Sequence, residues 1–202
     1  MQPPPLLIRG FKVFKAALDR PQQQQIVTEV RGIVAAAPMF SPETPYGRPM
    51  SVRMTSAGRY GWFADRRGYR YTPTHPAGQP WPAIPQTLLD IWQRFTGLDR
   101  QPDCCLINYY DAAARMGLHQ DRDEASFDWP VLSISLGDDG LFRIGNRTRG
   151  GKTDSIWLGS GDVVVMGGDA RLTYHGLDRI KPGTSSLLKD GGRLNLTLRV
   201  VD

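Results

Sequence analysis

Apolar residues recur at helical spacing in two stretches of this chain and at alternating positions through most of its second half. In QQQQIVTEVRGIVAAA, Ile26, Val27, Val30, Ile33, Val34 and Ala37 share one face of a 3.6-residue repeat, and Pro21 stands where a first helical turn tolerates proline. Leu88, Ile91, Trp92 and Phe95 repeat that stripe. Both predict packing helices near the start of the chain, and neither stripe carries chemistry. From Cys104 onward the runs CCLINYY, VLSISLG, LFRIG, SIWL, DVVVMGG, RLTYHG and RLNLTLRVV are short, alternating or wholly apolar, with Gly, Asp and Asn turns between them. Such a β-rich second half suits a double-sheet jelly roll. The expected fold class is mainly β with flanking helices, α+β.

Composition narrows the setting. A chain of 202 residues that is 40% hydrophobic can bury a sizeable core, and its length fits one domain, 1–202, better than two. No stretch approaches the roughly 18 apolar residues of a membrane span. The start MQPPPLLIRG lacks the basic-then-apolar pattern of a secretory signal, so a cytoplasmic protein with no membrane partner is expected. Cys104 and Cys105 are adjacent, which suits neither a loop-closing disulfide nor a zinc module, and buried thiols are expected. The 25 Lys+Arg against 20 Asp+Glu leave a net +5, which favours a polyanionic partner. The excess is patterned. Arg48, Arg53, Arg59, Arg66, Arg67 and Arg70 interleave with Tyr60, Trp62, Phe63, Tyr69 and Tyr71. Arginines neutralise phosphates while aromatic faces stack on bases, the combination single-stranded nucleic acid asks of a protein. A twisted hairpin with a solvated face has the same composition.

The chain has three histidines. His75, in TPTHPAGQP, has no carboxylate near it in sequence and is expected at the surface. His119 lies in LHQDRDE, two positions from Asp121, so in an extended segment the two side chains share a face and can grip one ion. His175 closes the run RLTYH on the face of Thr173. Two histidines and a carboxylate from neighbouring strands would make the facial triad of non-haem iron(II) oxygenases, although His-x-Asp alone is common. The last run adds a second constellation. In RLNLTLRVV, Arg193, Asn195, Thr197 and Arg199 alternate with leucines, so two arginines about 20 Å apart along the backbone point to one face. A guanidinium bonds a carboxylate through two parallel hydrogen bonds. Asn108 and Tyr110 in LINYY offer an amide and a phenol to the same anion. A polar outer face on an edge strand would look alike. The loop IGNRTRGGKTDS, with Arg143, Arg147, Arg149 and Lys152, suits phosphates or a solvated hairpin equally. Met166 is assigned to the core.

The segments SVRMTSAGRYGWFADRRGYRY, PWPAIPQ, CLINYYDAAARMGLHQDRDE, SISLG, GDVVVMGGDARLTYHG and RLNLTLR occur in that order between Met50 and Arg199. Together they resemble the AlkB family of iron(II)- and 2-oxoglutarate-dependent dioxygenases, which repair alkylated bases by oxidative demethylation. The resemblance implies a double-stranded β-helix (jelly roll) core over 101–202, with N-terminal helices and a nucleotide-recognition segment over 1–100 packed on it. It implies that His119, Asp121 and His175 are the catalytic Fe(II) ligands. Asn108, Tyr110, Arg193, Asn195 and Arg199 would hold 2-oxoglutarate, and O2 completes the set. It further implies that Trp62 stacks on a flipped base with the His119 imidazole on the other side, that Asp123 meets the exocyclic amino group, and that Tyr69 and Met54 line the pocket. Bases such as 1-methyladenine and 3-methylcytosine are cationic, so a nearby carboxylate favours them over undamaged bases. Single strands surrender a base with least unstacking. The expected partner is alkylated single-stranded DNA or RNA, and the expected assembly state a monomer. Two alternatives stand beside this reading: a dioxygenase of the same scaffold acting on other modified RNA, protein or a small molecule, and a non-catalytic nucleic-acid-binding jelly roll. Residues 1–40 and FSPETPYGRP match the family only loosely.

Overall fold

The computed structural model describes residues 4–44 and 46–202; Met1–Pro3, in the proline-rich start, and Pro45, in FSPETPYGRP, lie outside it. A short hairpin, β1 (Leu6–Ile8) and β2 (Phe11–Phe14), precedes the first helix. Helix α1 (Arg20–Ala36) begins at Asp19, whose carboxylate accepts the Gln22 amide at 2.9 Å while the Gln22 side chain accepts the Asp19 amide at 3.0 Å. That reciprocal cap, with Pro21 in the first turn, fixes where the helix starts. Its buried face holds Ile26, Val27, Val30 and Ile33, as the stripe predicts. Next come β3 (Arg53–Gly58) and the hairpin of β4 (Gly61–Asp65) and β5 (Gly68–Thr72). Helix α2 (Gln86–Thr96) buries Leu88, Ile91, Trp92 and Phe95 and stops at Gly97, whose φ of 71° is the left-handed conformation glycine adopts without a Cβ clash. Among the described residues no helix is long and apolar enough to cross a membrane.

Eight strands follow: β6 (Cys104–Tyr110), β7 (Met116–His119), β8 (Val131–Gly137), β9 (Asp139–Ile144), β10 (Asp154–Leu158), β11 (Val163–Met166), β12 (His175–Lys181) and β13 (Arg193–Arg199). One sheet runs β1-β2-β11-β8-β13-β6-β3 and a second β10-β9-β12-β7, with antiparallel pairing throughout. Alternation along the strands decides what each face meets. From the large sheet, Ile107, Ile134, Leu136, Leu196 and Leu198 join Ile26, Leu88 and Trp92 of the helices in the main core. Truncating one of them, such as Leu196→Ala, costs about 2–5 kcal/mol. The other face packs on the small sheet: Val131 and Val164 meet Ile144 and Leu158 at one end, and Leu106 and Tyr110 meet Leu177 and Ile180 at the other. Between these two apolar plugs the facing positions are polar.

Several expectations change. Strands are not confined to the region after the helices, since β1–β5 lie in the first half and β3 forms one edge of the large sheet. RLTYHG is not a strand: a turn continues from Gly168–Ala170, and β12 begins, rather than ends, at His175. Tertiary bonds hold the segment instead, with the Thr173 amide donating to Ala170 and the Tyr174 amide to Asn146. Strand β13 lies between β8 and β6, so its polar face is interior and the edge-strand reading fails. His75 is 6% exposed rather than a surface residue. Its Nδ1 accepts the Ala77 amide at 3.1 Å, which leaves Nε2–H to donate to the Pro38 carbonyl at 2.8 Å, and its ring packs on Phe40 and Trp81. The proline-rich loop folds back and uses the ring as a pin. The two cysteines are buried thiols, as expected, and burial pushes Cys104 up to about 12.

Candidate active site

Strands β12 and β7 pair with His175 directly opposite His119, and the ring centroids lie 4.7 Å apart. Gly176 permits that approach, because a Cβ there would stand 2.6 Å from the Met116 carbonyl oxygen. Asp121, two residues past the end of β7, is buried. Its carboxylate oxygens are 3.6 Å from His119 Nε2 and 3.7 Å from His175 Nε2. One ligand atom from each of the three falls within 4.8 Å of the others. His119 Nδ1 lies 2.9 Å from the Gly117 carbonyl, and His175 Nδ1 2.9 Å from that of Thr173. Carbonyls only accept, so both Nδ1 atoms carry the proton and both Nε2 lone pairs turn toward Asp121. Burial pulls the His175 pKa down to about 4, with Asp121 opposing the fall and His119 adding to it. The ring is therefore neutral at physiological pH. Burial would raise the Asp121 carboxyl, but Arg199, His175, His119 and Arg171 together hold it well below the usual carboxylate range. Its Oδ2 is buried without a hydrogen-bond partner. Two neutral imidazoles and one ionised carboxylate on one side of a cavity fit a dication with open facial positions.

The large sheet supplies the opposite wall. Its register aligns Met54, Asn108, Asn195 and Ser135 in one row across four strands and sets Arg193 opposite Tyr110 in the next. Arg193, 1% exposed, donates to the carbonyls of Leu158 and Asp138 at 2.9 and 3.1 Å and to the Ser135 hydroxyl at 2.5 Å. Among the described residues it makes no ion pair, and its Nε has no partner. Burial pulls its pKa down to about 10. A buried cation without a counter-ion among the described residues fits an incoming carboxylate. The Tyr110 phenol is pushed up by burial and so stays protonated as a donor. Arg199, at the other end of β13, is placed differently. Its Nη2 is 3.0 Å from Asp121, and its Nη1 is 2.8 Å from the Tyr71 hydroxyl and 3.4 Å from Glu124. The two arginines share a face but only Arg193 lacks an acidic partner.

A cavity of about 450 Å³ joins these walls, and every site residue singled out in the sequence lines it, from Arg193 and His175 to Met54, Trp62, Tyr69 and Asp123. Its size is that of a small-ligand pocket. Met166, expected in the core, is buried but also borders it. At the mouth, Trp62 Nε1–H donates to the Asp123 carboxylate at 2.9 Å, and its ring stacks on Tyr69 across the β4–β5 hairpin, centroids 5.4 Å apart and planes 19° apart. The arginine-rich stretch divides. Arg70 pairs with Asp65, Arg59 with Asp202, and Arg53 covers Tyr109 on the far face of the sheet. Arg48, Arg66 and Arg67 make no ion pair among the described residues, and Arg122 and Arg149 line the cavity. In the loop between β9 and β10, Arg147 lies 4.0 Å from Asp169, while Arg149 covers the Tyr174 ring. The sequence reading missed Tyr71, Glu124 and Arg171, which surround Asp121 and Arg199 with buried hydrogen bonds and ion pairs. Glu124 lay in plain view within LHQDRDE, but nothing in the run says that it turns inward.

Residues 10–199 match the family model of the 2OG-Fe(II) oxygenase superfamily. The chain is 51% identical over 197 residues to the alpha-ketoglutarate-dependent dioxygenase AlkB homolog of Caulobacter vibrioides, covering 97% of this chain and 90% of that protein. It is 40% identical over 199 residues to the alpha-ketoglutarate-dependent dioxygenase AlkB of Escherichia coli, covering 96% and 88%. The solved structure of OsALKBH1 is similar at a TM-score of 0.82 and 30% identity, over 98% of this chain and 100% of that one.

Proposed function

Since the chain belongs to the AlkB family of iron(II)- and 2-oxoglutarate-dependent dioxygenases, we propose that it oxidatively demethylates N-alkylated bases, such as 1-methyladenine and 3-methylcytosine, in single-stranded DNA or RNA. One observation carries the reading: a single cavity joins a His-Asp-His donor set, an unbalanced buried arginine, and an aromatic mouth that presents a carboxylate.

His119, Asp121 and His175 would hold iron(II). Bound there, the metal supplies the oxidation of 2-oxoglutarate by O2 to succinate and carbon dioxide, and with it the hydroxylation of the N-methyl group, whose product releases formaldehyde and the restored base. The protein's own residues orient the reactants. Arg193 grips the far carboxylate of the cosubstrate and gains the counter-ion it lacks, while Tyr110 and the Asn108 amide nitrogen donate hydrogen bonds from the same wall, which Asn195, its own amide hydrogens held by Ser133 and Ile134, completes. Leu106, Met54 and Leu177 add apolar surface to the same cavity. At the mouth, Trp62 exchanges its bond to Asp123 for stacking on the base, and Asp123 turns to the exocyclic amino group, where its charge favours the methylated cation. Arg48, Arg66, Arg67, Arg122 and Arg149 neutralise the strand's phosphates.

The test is a panel of oligonucleotides, methylated and plain, single- and double-stranded, DNA and RNA, incubated with iron(II) and 2-oxoglutarate. Formaldehyde and restored base from methylated single strands is the expected result. Succinate formed only with protein or small-molecule substrates would move the enzyme to another target. A chain that turns over no cosubstrate under any of these conditions would be a binding module.

A further inference from the structure

A closed circuit of buried charges holds Asp121 by both its side chain and its backbone. The carboxylate meets Arg199 Nη2 at 3.0 Å, Arg199 Nη1 reaches Glu124 Oε1 at 3.4 Å, and Glu124 Oε2 meets Arg171 Nη2 at 3.0 Å. Arg171 Nη1 then donates to the Asp121 carbonyl at 2.5 Å and closes the loop. The Tyr71 hydroxyl sits within it, donating to Glu124 at 2.7 Å and accepting from Arg199 at 2.8 Å. The side chains of Glu124, Arg171 and Arg199 are 0%, 3% and 7% exposed. Arg171 is itself anchored, with Nε donating to the Trp129 carbonyl at 3.0 Å. The local backbone explains the need. Strand β7 ends at His119, so residues 121–124 have no ladder to fix them.

Two carboxylates and two guanidiniums make the circuit neutral. As a stability device such a network is weak, because apolar packing often serves as well. As a jig it acts directly on one metal-site carboxylate. We propose that Glu124 and Arg171 are positioning residues for the metal site, holding Arg199 and the Asp121 backbone so that the carboxylate meets the ion already oriented. The inference rests on the reading of His119, Asp121 and His175 as ligands. Without the Glu124 charge the circuit carries a net +1, and Arg199 competes with the dication for Asp121. Lysine at 171 keeps the charge but loses the planar fork that serves Trp129, Asp121 and Glu124 together.

The experiment is titration of the full chain with Mn(II), without cosubstrate, followed by the resonance signal of the free ion. Weaker binding in His175→Ala than in the native chain is expected first; equal binding would overturn the ligand reading, and the proposal with it. Glu124→Gln and Arg171→Lys are then each expected to bind Mn(II) about tenfold more weakly, or worse, while circular dichroism reports a folded protein. Saturating iron should restore most of the Glu124→Gln kcat. Native affinity in a folded variant, a kcat that stays low at saturating iron, or loss of the fold in both variants would each overturn the proposal, the last because a purely structural circuit would behave so.

Discussion

Arg193→Gln tests the cosubstrate wall. The guanidinium is buried at 1% exposure, is held by two carbonyls and a hydroxyl, and makes no ion pair among the described residues. A carboxylate of 2-oxoglutarate placed there would gain a bidentate, charge-assisted partner away from water. Truncating one partner of a buried charge pair costs about 3–5 kcal/mol. At about 1.4 kcal/mol per tenfold, the affinity should fall roughly 100- to 4,000-fold. Arg193→Lys keeps a charge but not the fork, and should fall between the native chain and Arg193→Gln. The metal-free fold should change little, since the substitution weakens three hydrogen bonds but also removes an uncompensated buried charge. With a pKa near 10, Arg193 stays charged through the neutral range, so the loss should not depend on pH there. The assay is calorimetric titration of 2-oxoglutarate into Mn(II)-loaded protein without oxygen, with a thermal melt of each variant. A folded Arg193→Gln protein whose Kd lies within about threefold of the native value, against the loss expected from that buried-pair cost, would show that Arg193 does not hold the cosubstrate carboxylate.

His119→Ala and Asp121→Ala should each abolish turnover, as measured by succinate release. Asp123→Ala should keep Mn(II) affinity but lose about fivefold or more of the preference for methylated over plain base, since one unit charge at contact is worth about 1–4 kcal/mol; an emptied metal site would contradict the division of labour in LHQDRDE. Trp62→Ala should raise KM for a methylated oligonucleotide by about tenfold, the worth of one stacked base, with 2-oxoglutarate affinity unchanged. His175 stays neutral in the fold down to about pH 4 but titrates near 6.5 when unfolded. Between those values the unfolded chain binds more protons, so the His175 contribution to the stability of the metal-free protein is complete above about pH 6.5 and is lost as pH falls toward 4. Denaturation midpoints across that window should show this slope, and His175→Gln should flatten it; an identical slope in the variant would count against the assignment.

The helices and β13 were legible because their patterns are local. Stripes at Ile26–Ile33 and Leu88–Phe95 meet the same core that their spacing predicts, and the alternation in RLNLTLR assigns both faces of a central strand. The His119–Asp121 spacing was legible for the same reason. What escaped depends on partners distant in the chain. Residues 171–174 alternate like a strand, yet bonds to Ala170 and Asn146 hold them otherwise, and only at His175 does pairing with β9 and β7 begin. His75 is buried by Phe40 and Trp81, neither adjacent to it. Arg193 and Arg199 look equivalent in sequence, and only the fold gives one of them Asp121 and Glu124 as neighbours. The alternating pattern could say that both arginines share a face, but not that the face is interior or what each would meet.

One cavity that couples cosubstrate oxidation to removal of a methyl group from a base must release its two products together. The decisive experiment is a single turnover of iron-loaded protein with 2-oxoglutarate, oxygen and a single-stranded oligonucleotide carrying 1-methyladenine, counting both products. One formaldehyde for each succinate is predicted, with the base restored; succinate released without formaldehyde would mean that the cavity does not demethylate this base.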